Sequence, residues 1–148
     1  MDLLSQSDKD SFAAALGDIF DTFAKDIVIH RRPNKTVVSE GQNFSSAYRD
    51  EQPAIELSLE PIQVSCKARA RHIQKAEDLD KFVPVSDATK LDFGRSIIRL
   101  KLKPENLEDI QDAIQVDFEG KAYEVISSVI PKFTFSYQLY IVYIQEKK

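Results

Sequence analysis

Seven cations in this sequence are spaced so that they could act together. Lys67, Arg69 and Arg71 alternate with the end of an apolar run, Ile62, Val64, Cys66, Ala68 and Ala70, and Arg95, Arg99, Lys101 and Lys103 accompany a second run, Ile98, Leu100 and Leu102. Alternate residues of a β-strand share a face, so each run predicts a strand with one apolar and one basic face. If the two strands are neighbours, the chemistry on offer is electrostatic, a patch that holds phosphates with an affinity falling steeply as salt rises. No aromatic residues are interleaved among these cations, so stacking of bases is not provided for. The competing reading is a solvated face, or one salt-bridged between subunits to the acidic stretch Glu105–Ile110.

Other chemistry finds little support. His30 and His72 lie on separate segments, Cys66 has no second cysteine, and the four glycines form no run that could cradle a phosphate. Cys66 with His72 could be drawn as a nucleophile and base, but Cys66 falls on the apolar phase of its strand, where it reads as a small packed residue. Asp109, Asp112, Asp117 and Glu119 lack the spacing of a calcium loop and read as a solvated face. The sequence therefore predicts no catalytic residue, no cofactor and no metal. A small enzyme with its site on the long loops would need a polar constellation that these residues do not form.

The bulk properties set the frame for these residues. A chain of 148 residues is expected to fold as one domain around one core. Its net charge of -4, with 30% charged and 43% apolar residues, exerts no overall pull on nucleic acid, so any basic site must be local. No apolar run approaches a membrane span, and the N-terminus has no basic stretch leading into an apolar one, which predicts a soluble, unexported chain. A lone cysteine excludes an internal disulfide framework and fits a reducing compartment.

The elements that position the cations read as follows. Ser7, with Asp10 three residues on, predicts a helix start, and Phe12, Leu16, Ile19, Phe20 and Phe23 make an aromatic stripe on a helix of about 7–25. That stripe either covers an open face of the β-domain or docks on a neighbouring subunit. Ile27–Ile29 through Arg32, a turn at Pro33-Asn34, and Thr36–Val38 predict a short hairpin. Residues 39–53, whose only apolar members are Phe44, Ala47 and Tyr48, and residues 74–90 read as long loops. The apolar phase flips at Pro61, which requires two strands or one strand bent by a bulge. Ile114–Phe118 and Tyr123–Ile126 flank Gly120 as a hairpin, and Phe133–Tyr143 reads as one long final strand. The second half of that strand is apolar on both faces, as for a central strand packed between a barrel interior and the N-terminal helix, or one that meets another protein.

Three segments together resemble the head-to-tail connector proteins of tailed bacteriophages, the head-closure, stopper or neck proteins. They are NFSSAYRDEQPAIELSLEPIQVSCKARARHIQ, with an Asn-aromatic loop leading to an Ala-Arg-Ala-Arg-His run; LDFGRSIIRLKL, with a Gly-x-x-x-Arg strand; and IQVDFEGKAYEVISSVIP, with a strand, Gly-Lys turn, aromatic and Val/Ile strand. The resemblance covers most of residues 43–145. It implies a small β-barrel that assembles as a homo-oligomeric ring of six or twelve subunits in the virion neck, without catalytic residues. The partners it implies are portal, adaptor and tail proteins, with non-specific contact to packaged DNA, assembly in the bacterial host's cytoplasm, and no membrane. The two long loops would reach a neighbour, the portal, the tail or the channel. The N-terminal helix is longer and more aromatic than a stopper needs, which leaves open an adjacent connector or a tail-completion protein.

The expectation is thus an α+β chain, a single domain over 1–148. It is mostly an antiparallel β-barrel (SH3-like or a similar small barrel) over about 27–145, with an N-terminal amphipathic helix and long loops. The candidate partner or DNA-channel contacts are Lys67, Arg69, Arg71, Arg95, Arg99, Lys101, Lys103, Phe44 and Tyr48. The alternative function is a nucleic-acid-binding small barrel of the OB type that uses the basic strands.

Overall fold

The computed structural model describes residues 3–37, 57–79, 83–134 and 136–148. Phe44, Tyr48 and the loop expected over 39–53 lie outside them. In chain order the elements are helix α1 (Gln6–Phe23), strands β1 (Lys25–Val37) and β2 (Leu57–Ile73), the short helix α2 (Val85–Ala88), strand β3 (Ile97–Leu102), the short helix α3 (Leu107–Gln111), and strands β4 (Ala113–Phe118), β5 (Lys121–Val125), β6 (Ile130–Thr134) and β7 (Tyr137–Glu146). Single 3-10 turns at Ala76–Asp78 and Pro104–Asn106 precede α2 and α3. No helix among the described residues is long and apolar enough to cross a membrane.

All strand pairs are antiparallel, in the order β3-β2-β1-β4-β5-β7, and β7 pairs back on β3. This is a closed six-strand barrel with β6 as one outer strand on β7, an α+β fold. Closure satisfies the backbone of both terminal strands of the sheet. The remaining outer strand carries Pro131 and Lys132, residue types suited to an unpaired edge. Inside the barrel, Ile27, Ile29, Ala68, Ile98, Leu100, Leu102, Val116, Phe118, Tyr123, Val142 and Ile144 form one cluster, which Ile110 of α3 joins. Ile98, Leu100 and Leu102 are fully buried, as their alternation predicts.

Several segments fold differently from the sequence expectation. The helix is capped by Ser5, not Ser7: the Asp8 amide donates to Ser5 Oγ at 3.2 Å and Ser5 N donates to Asp8 Oδ2 at 3.0 Å. Both serines have a carboxylate three residues on, but Asp10 accepts from Gln6 Nε2, which leaves the reciprocal box to Ser5 and Asp8. Pro33-Asn34 is not a hairpin turn. Strand β1 runs on through it, and Arg32 and Pro33 face the single residue Pro61 between the pairs Arg31–Ile62 and Asn34–Glu60. A bulge is where two prolines can sit in one ladder without wasting hydrogen bonds, and it resolves the phase flip at Pro61 as one bent strand.

The final strand also divides. Phe133 pairs with Gln138 and Thr134 with Tyr137, so the chain reverses between β6 and β7, and Phe133 stands 67% exposed. Apolar residues at odd positions continue on both sides of this reversal, which hid it from the pattern. Residues Ile141–Gln145 are buried throughout, as expected for a strand covered on both faces. The outer cover is not α1, however. Ile141 and Tyr143 pack with Ile73, Leu91 and Ile97, and Leu79, Val83, Ile126 and Ile130 complete this second cluster. The described part of 74–90, with Leu91 and Asp92 after it, therefore covers β7 and the loop before β6: Asp92 N donates to the buried Gln145 Oε1 at 2.9 Å, and Asp87 accepts from Ser128 N and Oγ at 3.1 and 2.6 Å. Those Ser128 bonds hold the Asp87 carboxyl below its usual range.

Candidate functional site

Strands β2 and β3 are neighbours, and their register brings the two basic runs together. Arg69 stands opposite Lys101 and Arg71 opposite Arg99. The intervening residues Ala68, Leu100 and Leu102 are in the barrel cluster, with Ala70 packed against it, which turns the four cations to the outer surface. Opposed side chains on a sheet have Cβ atoms about 4.5–5.5 Å apart, and like charges there repel. The array therefore holds two like-charge pairs side by side. Between them lies a depression of about 160 Å³ lined by Arg69, Ala70, Arg71, Arg99 and Lys101. Lys67, exposed, continues the β2 side of this surface.

Two further expected cations lie outside this array. Arg95 precedes β3 and reaches Asp92 at 3.5 Å and Glu124 at 3.9 Å. Lys103 donates to Asp21 of α1 at 2.8 Å, and this bond raises its pKa against the effect of burial. Its ammonium also lies 5.3 Å from the Phe20 ring centroid, and the Arg69 guanidinium lies 5.8 Å from that of Phe23. Cations of the barrel thus hold the aromatic rings of α1, a coupling that neither pattern signals alone.

Helix α1 touches β2 and β7, but the aromatic stripe is not covered as a whole. Phe20 is 1% exposed, whereas Phe12, Ile19 and Phe23 are 48%, 45% and 64% exposed. The expectation that the stripe closes one face of the barrel therefore holds for one ring of three. A second depression, about 170 Å³, runs between the helix and the β6–β7 hairpin, lined by Leu16, Ile19, Lys132, Tyr137 and Leu139 and sharing Arg69 and Lys101 with the first. The Tyr137 hydroxyl is buried with no hydrogen-bond partner among the described residues, and burial raises its pKa.

The acidic residues read as a solvated face are instead paired, because β1 lies beside β4. Arg31 holds Asp109 at 3.0 Å and Asp112 at 2.9 Å, His30 Nε2 meets Asp117 Oδ2 at 2.6 Å, and Lys25 meets Glu119 at 2.6 Å. Burial of Asp117 is outweighed by its bonds to Gln115 and His30, so its pKa falls; that of Glu119 falls through Lys25. No group of three or more potential metal ligands occurs among the described residues. Burial pushes the Cys66 thiol up to about 11, leaving it protonated at neutral pH and a poor nucleophile.

The arrangement offers an apolar helix face and a basic sheet face side by side, suited to binding. Compared with protein-family models, curated proteins and solved structures, the chain matches none.

Proposed function

We propose that this chain is a non-enzymatic structural subunit that works by assembly, a ring-forming component of a phage neck that joins portal and head to tail and helps close the DNA channel. The observation that carries the reading is the exposed apolar face of α1. Phe20 anchors the helix, while Ile19 and Phe23 remain 45% and 64% exposed beside a barrel whose core is complete without them. Large apolar side chains clustered on one surface commonly mark a contact with another chain. The three segments similar to connector proteins, which supply most of the barrel, give that contact its context. Native mass measurement or electron microscopy of the purified full chain is the test. Closed rings are expected, and a monomer that binds oligonucleotides tightly and in a salt-sensitive manner would overturn the reading. That outcome would favour the alternative, a nucleic-acid-binding small barrel, which the adjacency of the two basic runs supports.

A further inference from the structure

We infer that the exposed flank of α1 binds the same flank of a second copy of this chain, the two helices lying antiparallel about a two-fold axis beside Ala15. The inference rests on the reading of this face as a contact between chains, and it names what covers the face. Asp8, Phe12, Ala15, Ile19 and Phe23 recur every third or fourth residue and so share one flank of the helix. Phe20, which seats the helix on the barrel, lies to one side of that flank, and Asp10 and Asp21 lie opposite it. The flank is self-complementary. An antiparallel pairing centred between Ala15 and Leu16 sets Phe12 of one copy against Ile19 of the other and Asp8 against Phe23, and the two-fold repeats both contacts. The Arg69 guanidinium lies 5.8 Å from the Phe23 ring centroid, so the Asp8 carboxylate of one copy arrives beside a cation of the other. Opposed helix dipoles add to this match of charge.

The way α1 is mounted leaves room for the second helix. Phe20 is its only buried residue, whereas residues 5–8 and 10–12 are exposed, so the N-terminal half stands clear of the barrel. The apolar side chains along the flank, Phe12, Ile19 and Phe23, are 48%, 45% and 64% exposed, and covering them is favourable in proportion to the area removed from water. The depression of about 170 Å³ beside the helix, lined in part by Leu16 and Ile19, continues this flank and offers space for the rings of the other copy. An inverted repeat of apolar positions, with an acid at one end and a cation at the other, is matched along its whole length by a second copy. A two-fold contact closes on itself, so it joins chains in pairs, and a ring needs a further contact between pairs.

The test is disulfide cross-linking of the full chain under mild oxidation, in a Cys66→Ala background. Helices packed side by side bring the two Ala15 positions beside the axis within reach of a disulfide, so Ala15→Cys should give a covalent dimer. Ala14→Cys, exposed on the other side of the same helix, should give little. Adding Ile19→Asp to Ala15→Cys sets an unpaired charge in the contact and should lower the dimer yield about tenfold. No dimer from Ala15→Cys, equal yields from Ala14→Cys and Ala15→Cys, or an undiminished yield with Ile19→Asp would each overturn the inference. Native mass of the same chains reads assembly separately. Rings that form without the Ala15→Cys cross-link would overturn this contact and keep the neck reading; cross-linked pairs without rings would support the contact and remove the neck reading.

Discussion

Arg71 stands directly opposite Arg99 across the β2–β3 ladder, with the same charge on both sides and the buried Ile98 and Leu100 on the neighbouring positions of β3. Like charges so placed repel, and a glutamate at position 71 would face the Arg99 guanidinium with opposite charge, so Arg71→Glu should stabilise the chain. The expected gain is about 0.5 kcal/mol, or roughly 1–2 °C in the melting temperature for a chain of this size. Thermal unfolding of Arg71→Glu checks this. A variant destabilised by more than about 1 kcal/mol would mean that Arg71 is held by favourable contacts instead.

The aromatic stripe of α1 divides into an anchor and a surface. Phe20→Ala should cost about 3 kcal/mol, the range for emptying a buried aromatic site, measured by urea unfolding. Phe23→Ser, at a residue 64% exposed, should change stability by no more than about 0.5 kcal/mol yet reduce the assembled fraction in sedimentation. Equal stability losses for the two variants would remove the distinction.

The β4–β5 hairpin turns through Glu119 and Gly120, with φ of 49° and 78°, the left-handed pair of a two-residue turn. A Cβ at Gly120 would meet no atom within 4 Å, so Gly120→Ala tests backbone conformation alone. The expected loss is about 1 kcal/mol, read from chemical denaturation, with the barrel retained by circular dichroism.

Asp87 gives a pH signature. Its folded-state pKa lies below the ordinary 3.8 because Ser128 donates to it twice. The unfolded chain therefore takes up the proton first on acidification, so this contribution is fully present above about pH 4 and is lost as pH falls through the folded-state value. Asp87→Asn should flatten the fall in stability below pH 4 while lowering stability at neutral pH. An unchanged acid slope would show that other carboxylates set it.

Cys66 offers a kinetic check on the barrel wall. With its thiol pushed up to about 11, reaction with a disulfide reagent at pH 8 should be much slower than for a free cysteine and should keep rising with pH towards 11. A rate that levels off near pH 9 would contradict its burial against the core.

The sequence made some of this architecture readable and concealed the rest for physical reasons. The β4–β5 hairpin was legible because Gly120 interrupts an alternating pattern at the residue that must be left-handed. The β6–β7 reversal was not, since Phe133 and Tyr137 hold the same phase on either side of it. Pro33 imitates a turn, and only its position opposite Pro61 identifies a bulge. The cations of the candidate site were legible by spacing, but their assembly into opposed pairs required the β2–β3 register. The aromatic rings of α1 were recognised, while the division between Phe20 and Phe23 depends on where the barrel's cations reach. The cover of β7 by the segment around Leu79 and Leu91 had no periodic signal to announce it.

The β3–β7 seam has a bearing on how the protein comes to be made. Ile97–Leu102 finds its second neighbour only in Tyr140–Gln145, some forty residues later, and β5 depends on the same strand. Until that segment has emerged, β3 and β5 each offer a bare row of backbone donors and acceptors, a template for the wrong strand. Chains broken off ahead of Tyr137 should accordingly accumulate as aggregates, with no smaller barrel to fall back on.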